Sequence, residues 1–83
     1  MIVTVKTFAA LREIIGSASV AIDVSSDASV RDVIKAVSER YPGIGIIASQ
    51  IIIAVNMEYV SLDHPVHESD EVALIPPVSG GSK

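Results

Sequence analysis

Two consecutive glycines near the end of the chain, Gly80 and Gly81, have the residue type and position that suit chemistry at the backbone. They follow a strand-like apolar run at residues 72–75 and two prolines, which cannot donate hydrogen bonds to a sheet. The prolines favour an extended exit, and residues 76–81 span about 20 Å at about 3.3–3.6 Å each. Because glycine has no side chain, this end could enter a narrow channel and bring its backbone close to a ligand. The alternative is an inert terminus, since chain ends are commonly disordered.

The other chemically capable side chains do not form a catalytic or metal-binding motif. No glycine-rich segment lies between a strand and a helix, so a phosphate-binding loop is not expected. His64 and His67 are too few for a metal site, which needs three or four convergent ligands. The acidic residues at positions 63, 68, 70 and 71 form either a solvated loop or a docking surface for a basic partner. The sequence therefore predicts no self-contained catalytic apparatus and no metal.

Composition predicts one small domain and excludes several classes of protein. The chain has 83 residues, 49% of them hydrophobic, and a net charge of −4. Its apolar runs are far shorter than the roughly 20 residues that span a bilayer, and residues 1–20 lack the pattern of a signal peptide. The six basic residues are scattered, whereas phosphate contacts need clustered Lys and Arg. We therefore expect a cytoplasmic protein with no membrane or nucleic-acid partner.

The chain contains no cysteine. This excludes disulfides, thiolate metal sites and a cysteine nucleophile. A protein of this composition that handled sulfur could not hold it as a cysteine persulfide, so the carboxyl terminus would be the attachment point.

Hydrophobic periodicity predicts one main helix and about five strands. Ser29 is a suitable N-cap with Asp32 in the capping-box position, and Pro42 ends the helix. A short helical turn is expected at residues 9–15, with Leu11, Ile14 and Ile15 on its apolar side. The strands are expected at residues 2–8, 19–24, 51–56, 59–60 and 71–75, and the third is expected to be buried on both faces. A helix on one face of a small mixed sheet predicts an α+β fold of the β-grasp (ubiquitin-like) type. We expect residues 1–76 to form this domain and residues 77–83 to form an extended, flexible tail that carries Gly80-Gly81.

Phe8 is the only phenylalanine and has two interpretations. Alternation in the first strand places Val3 and Val5 inward. If that strand reaches Phe8, Phe8 falls on the polar face that carries Thr4 and Lys6, which makes it a candidate for a contact with a partner. If the strand ends at Thr7, Phe8 turns into the core.

Several segments resemble the small subunits of molybdopterin synthase, the MoaD-type sulfur carriers of the ThiS/MoaD ubiquitin-like family. The resemblance lies in residues 54–56, 60–65, 70–73 and 76–81, with further similarity at Phe8-Ala9, residues 11–13 and Gly16. The resemblance implies that an ATP-dependent adenylating enzyme activates the carboxylate of Gly81. Sulfur from a donor would then replace AMP and leave a thiocarboxylate. The large synthase subunit would use this sulfur to convert cyclic pyranopterin monophosphate into the dithiolene of molybdopterin. The carrier would bind no cofactor, would not be catalytic alone and would act as the sulfur-donating subunit.

The resemblance also implies roles for individual residues. Gly81 would be the reactive residue. The tail inserted into the large subunit would consist of Pro77, Val78, Ser79 and Gly80, and the apolar contacts with the partner would come from Phe8, Val60 and Ile75.

One departure from the family concerns Ser82-Lys83, because family members end at the second glycine. We hypothesise that a processing protease removes these two residues before activation. A tail added in expression and a member that works differently are the alternatives. For the whole protein, the other candidate functions are a sulfur carrier for thiamine or tRNA thiolation and a ubiquitin-like protein modifier.

Overall fold

The computed structural model describes residues 1–45 and 50–76, which fold into five strands, two α-helices and one 3-10 turn. In chain order these elements are β1 (Ile2–Thr7), α1 (Ala9–Ile15), β2 (Ser19–Asp23), α2 (Val30–Arg40), the 3-10 turn (Pro42–Ile44), β3 (Ile52–Val55), β4 (Glu58–Tyr59) and β5 (Glu71–Ile75). The predicted tail, residues 77–83, lies outside the described residues, so its extended and flexible character stays a prediction.

The five strands form one mixed sheet in the order β2-β1-β5-β3-β4. Strands β1 and β5 are parallel neighbours at its centre, and every other pair is antiparallel. An antiparallel first hairpin, a helix and a last strand returning beside the first are the arrangement of the β-grasp fold. The predicted α+β class is confirmed.

The core lies between one face of this sheet and the helices. Side chains of alternate strand residues point to opposite faces, so β1, β2, β3 and β5 contribute alternate residues to the core, whereas both residues of β4 are exposed. The central strands and α2 supply side chains with no exposed surface, and these are Val3, Val5, Val30, Val33, Val37, Val72 and Leu74. Burying one such side chain contributes about 1.5–3 kcal/mol, so this layer holds the sheet and α2 together.

The start of α2 is fixed by the predicted cap and by a loop that follows β4. The backbone N–H of Ser29 donates to Oδ2 of Asp32 over 2.9 Å, which confirms the capping-box position. The N–H groups of Val30 and Arg31 donate to the carbonyls of His64 and Leu62, each over 2.9 Å. These bonds satisfy amides that a helix leaves without an internal partner. Neither helix in the described ranges is long and apolar enough to cross a membrane.

The ends of the first three strands differ from the prediction by one residue, and three further details differ from the structure. Strand β4 covers Glu58–Tyr59 rather than residues 59–60, because the turn before it takes only two residues. Ile14, expected on the apolar side of the helical turn, is 40% exposed and lies over Gly43, where an added Cβ would be 3.0 Å from its Cγ2. Ile52 is 46% exposed although its strand was expected to be buried on both faces, because it points away from α2.

Candidate functional site

The sheet face opposite α2 carries a shallow groove with a floor of small residues. Cross-strand pairing aligns Lys6 with Ala73, Ala73 with Ala54, and Ala54 with Tyr59. Paired residues of neighbouring strands project to the same side, so these four form one row across β1, β5, β3 and β4. The two alanines in the middle of the row leave a depression between larger neighbours.

Large apolar side chains form the walls of this groove. Phe8, Met57, Tyr59 and Ile75 surround Ala54 and Ala73, and Lys6 and Glu71 complete the lining. The groove has a volume of about 380 Å³. Phe8 is 48%, Tyr59 78% and Met57 91% exposed, so apolar surface that would gain from burial faces solvent here.

Phe8 enters the groove because of how β1 ends. The side chain of Thr7 is buried and donates its hydroxyl to the carbonyl of Ser17, which holds Thr7 on the core side. Phe8 keeps an extended backbone, φ −138° and ψ 151°, and therefore points to the opposite side, where Lys6 lies. Its carbonyl accepts the N–H of Leu11 over 3.1 Å and begins α1. Strand β1 thus ends at Thr7, as in the second interpretation, but Phe8 stays out of the core, as in the first.

Met57 and Tyr59 are positioned by the tight turn between β3 and β4. Val55 pairs with Glu58, so Asn56 and Met57 alone make the turn, with φ of 50° and 73°. Positive φ at both central residues matches the right-handed twist of the flanking strands, and Asn tolerates it better than most residues.

The carboxylate of Asp70 and the amide of Asn56 tie this turn to β5. The Asn56 amide donates to Asp70 Oδ1 over 3.0 Å, and its carbonyl oxygen accepts the N–H of Glu71 over 3.1 Å. The N–H of His67 donates to the other Asp70 oxygen over 2.8 Å. Burial alone would raise the pKa of Asp70, but the hydrogen bonds from His67 and Asn56 and the nearby His67 and His64 hold it below its usual value. We call these contacts the Asn56–Asp70 clamp.

The charged end of the groove is a loose ion pair. Lys6 Nζ lies 3.6 Å from Glu71 Oε2, and both side chains are about half exposed. Exposed pairs of this kind contribute little to stability, about 0–1 kcal/mol, so either group can turn to a partner at small cost.

The lining of the groove offers apolar surface with a few polar groups. Its lining offers one ammonium, one carboxylate and one phenol, and it places no nucleophile beside a base. In residues 1–45 and 50–76 there is no group of three or more His, Asp or Glu that could hold a metal ion. An exposed apolar depression with one ion pair is the kind of surface that another protein covers.

The structure brings together two of the three residues for which a partner contact was implied. Phe8 and Ile75 both line the groove, and Ile75 leads directly into Pro76 and the tail. Val60 does not line it but is partly buried and packs against the core. The sequence analysis did not identify Tyr59 and Met57 as groove residues. A prediction of a two-residue turn at Asn56-Met57 would have placed Tyr59 on the open face of the sheet.

The remaining predicted site residues lie outside the described part of the chain. They are Pro77, Val78, Ser79, Gly80 and Gly81. The acidic cluster of the last turns is largely engaged within the chain, because Asp63 bonds Arg31 at 3.0 Å, Asp70 belongs to the clamp and Glu71 pairs with Lys6.

Comparisons with known proteins find similarity over nearly the whole chain. The model of the ThiS family matches residues 5–81. The molybdopterin synthase sulfur carrier subunit of Dictyostelium discoideum is 40% identical over 77 residues, which are 89% of this chain and 90% of that protein. The crystal structure of SAMP1 from Haloferax volcanii is 34% identical, with a TM-score of 0.87, over 98% of this chain and 100% of that one. A complex of subunits 1 and 2 of the molybdopterin-converting factor from Helicobacter pylori includes a chain 26% identical, with a TM-score of 0.69, over 98% of this chain and 100% of that one.

Proposed function

The chain belongs to the ThiS family, as the match over residues 5–81 shows, and we propose that it is the sulfur carrier subunit of a molybdopterin synthase. The resemblance inferred from the sequence is confirmed by this match and by the identity of 40% with the Dictyostelium carrier. The observation that carries the proposal is the apolar groove at the end of β5, beside the point where the chain continues toward Gly80 and Gly81.

The proposed reaction takes place at the carbonyl carbon of Gly81. A carboxylate is a poor electrophile, so an adenylating enzyme uses ATP to form an acyl-adenylate and releases pyrophosphate. Hydrosulfide supplied by a sulfur donor then attacks the acyl carbon, the acyl–phosphate bond breaks, AMP leaves, and a thiocarboxylate remains. In the large subunit its sulfur forms a C–S bond to the pterin precursor in place of a C–O bond. Water then hydrolyses the acyl–sulfur bond, which leaves the sulfur on the pterin and returns the carrier to a carboxylate. The absence of cysteine and of a groove nucleophile supports a carrier whose sulfur is held at the main chain.

The groove is proposed to hold the large subunit while the tail reaches its active site. Phe8, Tyr59 and Ile75 would lose their exposed apolar surface to the partner, and Lys6 and Glu71 would orient it. The likeness to the Helicobacter pylori complex of two subunits supports a large-subunit partner. The adenylating enzyme would use the same face in turn, since it must handle the same tail.

A protein modifier is the second candidate, favoured by one observation. The chain superimposes on SAMP1 from Haloferax volcanii, a small archaeal modifier protein, over 98% of its length. In that role the activated Gly81 would be attacked by a lysine amine of a target, and an isopeptide bond would form instead of a thiocarboxylate.

The test is activation of a chain that ends at Gly81, compared with the chain carrying Ser82-Lys83 and with a chain lacking Gly81. Each is incubated with the host's adenylating enzyme, ATP and a sulfide source, and intact mass is measured. A carrier exchanges one oxygen for one sulfur when Gly81 is terminal and remains unchanged in the other two chains. The host's large subunit and cyclic pyranopterin monophosphate then show whether that sulfur is transferred. Sulfur transfer by the chain lacking Gly81 would refute the proposal, and conjugates on lysines without any thiocarboxylate would establish the modifier.

A further inference from the structure

Met57 is the most exposed large hydrophobic side chain in the described part of the protein, at 91%. Its backbone has φ of 73°, a value that residues other than Gly, Asn and Asp rarely adopt. A long apolar side chain is thus held in solvent at a position that favours other residues. Neither core packing nor turn geometry accounts for it.

The base of this side chain is fixed rather than loose. Two bonds of the Asn56–Asp70 clamp hold the neighbouring residue, since the Asn56 amide donates to Asp70 Oδ1 at 3.0 Å and the Glu71 N–H donates to Asn56 Oδ1 at 3.1 Å. A backbone bond from the Asn56 N–H to the Glu71 carbonyl, at 2.9 Å, adds to them. Met57 therefore forms one wall of the groove in a defined place. Its thioether is flexible and polarisable and suits adaptable apolar contacts.

Met57 is also the accessible sulfur of this chain. The sequence has no cysteine and two methionines. The side chain of the other, Met1, is 8% exposed, and its ammonium group is held by Asp23 Oδ1 at 3.1 Å and by the Val24 carbonyl at 2.7 Å. A two-electron oxidant in solution therefore meets the sulfur of Met57 first.

We propose that Met57 is a site of reversible oxidation that weakens the docking of the large subunit in the groove. The inference rests on the proposed function, in which that groove is the partner surface. A hydroperoxide transfers one oxygen atom to the thioether: the O–O bond breaks, an S–O bond forms, sulfur is oxidised to the sulfoxide, and the peroxide is reduced to water or an alcohol. A dithiol reductase removes that oxygen as water and is itself oxidised to a disulfide.

The physical effect follows from where the oxygen is placed. The sulfoxide is polar, and it would stand on the wall of a groove that otherwise offers Phe8, Tyr59 and Ile75. A partner surface that fits the apolar thioether would bury the sulfoxide oxygen without a hydrogen bond, which opposes binding. We expect an increase in Kd of about tenfold, which the dithiol reductase reverses.

The experiment measures oxidation and binding on the same samples. The chain is treated with hydrogen peroxide, the oxidised residue is located by peptide mass analysis, and Kd for the large subunit from the same host is measured by calorimetry. Met57→Leu receives the same treatment and is compared with itself before and after peroxide. We expect one added oxygen on Met57 before any on Met1, a Kd about tenfold higher, recovery after reduction, and no peroxide effect in Met57→Leu.

Two results would overturn the inference alone: an oxidised chain that binds as tightly as the untreated one, or a Met57→Leu variant that loses affinity equally on treatment. Failure of the untreated chain to bind the large subunit would instead refute the proposed function, and the inference with it.

Discussion

Replacing Phe8 with alanine tests the groove most directly. Phe8 is 48% exposed, and an aromatic side chain offers about 200 Å² in all, so a partner could cover about 100 Å² of it. At about 25 cal/mol per Å², and allowing for what alanine retains, the loss is about 2 kcal/mol, or about 30-fold in Kd. Calorimetric titration of the large subunit with each carrier measures this difference.

The matched control is Leu62→Ala, because Leu62 is 41% exposed but lies on the loop against the start of α2, outside the groove. Each substitution also removes buried apolar surface and lowers the free energy of unfolding by up to about 2 kcal/mol. The titrations are therefore made at a temperature below the unfolding transition of the less stable variant. If Phe8→Ala binds within twofold of the parent, or if Leu62→Ala loses as much affinity, the groove is not the docking surface.

Two further predictions concern neighbouring residues. Tyr59→Ala should raise Kd for the large subunit about tenfold. Val60→Ala should lower the free energy of unfolding by about 1 kcal/mol and leave Kd within about twofold. Calorimetry and denaturant unfolding of both variants measure these quantities, and the opposite pattern would favour Val60 as the contact. Because the folded pKa of Asp70 is lowered, its carboxylate stabilises the fold above the unfolded pKa of about 3.9, and that stability is lost as the pH falls through the folded pKa. The free energy of unfolding should therefore exceed that of Asp70→Asn by about 1 kcal/mol near pH 7 and by less at low pH, and a difference independent of pH would contradict the role of the clamp.

Local patterns in the sequence were sufficient for most of the fold. Alternation in β1 placed Val3 and Val5 in the core, and the Ser29–Asp32 pair located the start of α2. Both signals act over a few residues and need no knowledge of distant contacts. The fifth strand, Glu71–Ile75, was predicted with the bounds that the structure has, because a turn signal precedes it and proline follows.

The groove could not be predicted in the same way, because it depends on register between distant strands. Ala54 and Ala73 become neighbours only when β3 and β5 pair, and nothing near either residue indicates this. The finding that Tyr59 lines the groove and Val60 does not has a local cause. Two-residue turns with positive φ usually carry glycine. Because Met57 occupies the second turn position, the residue types alone do not indicate a two-residue turn.

The central place of β5 has a consequence for synthesis of the protein. Strand β1 leaves the ribosome first, yet its parallel neighbour consists of residues 71–75, so the sheet cannot close until almost the whole domain has been translated. A chain cut short before that point lacks the strand between β1 and β3, and the two halves of its sheet have nothing to join them. Truncated products would then be degraded as unfolded chains rather than compete with finished carriers for the large subunit.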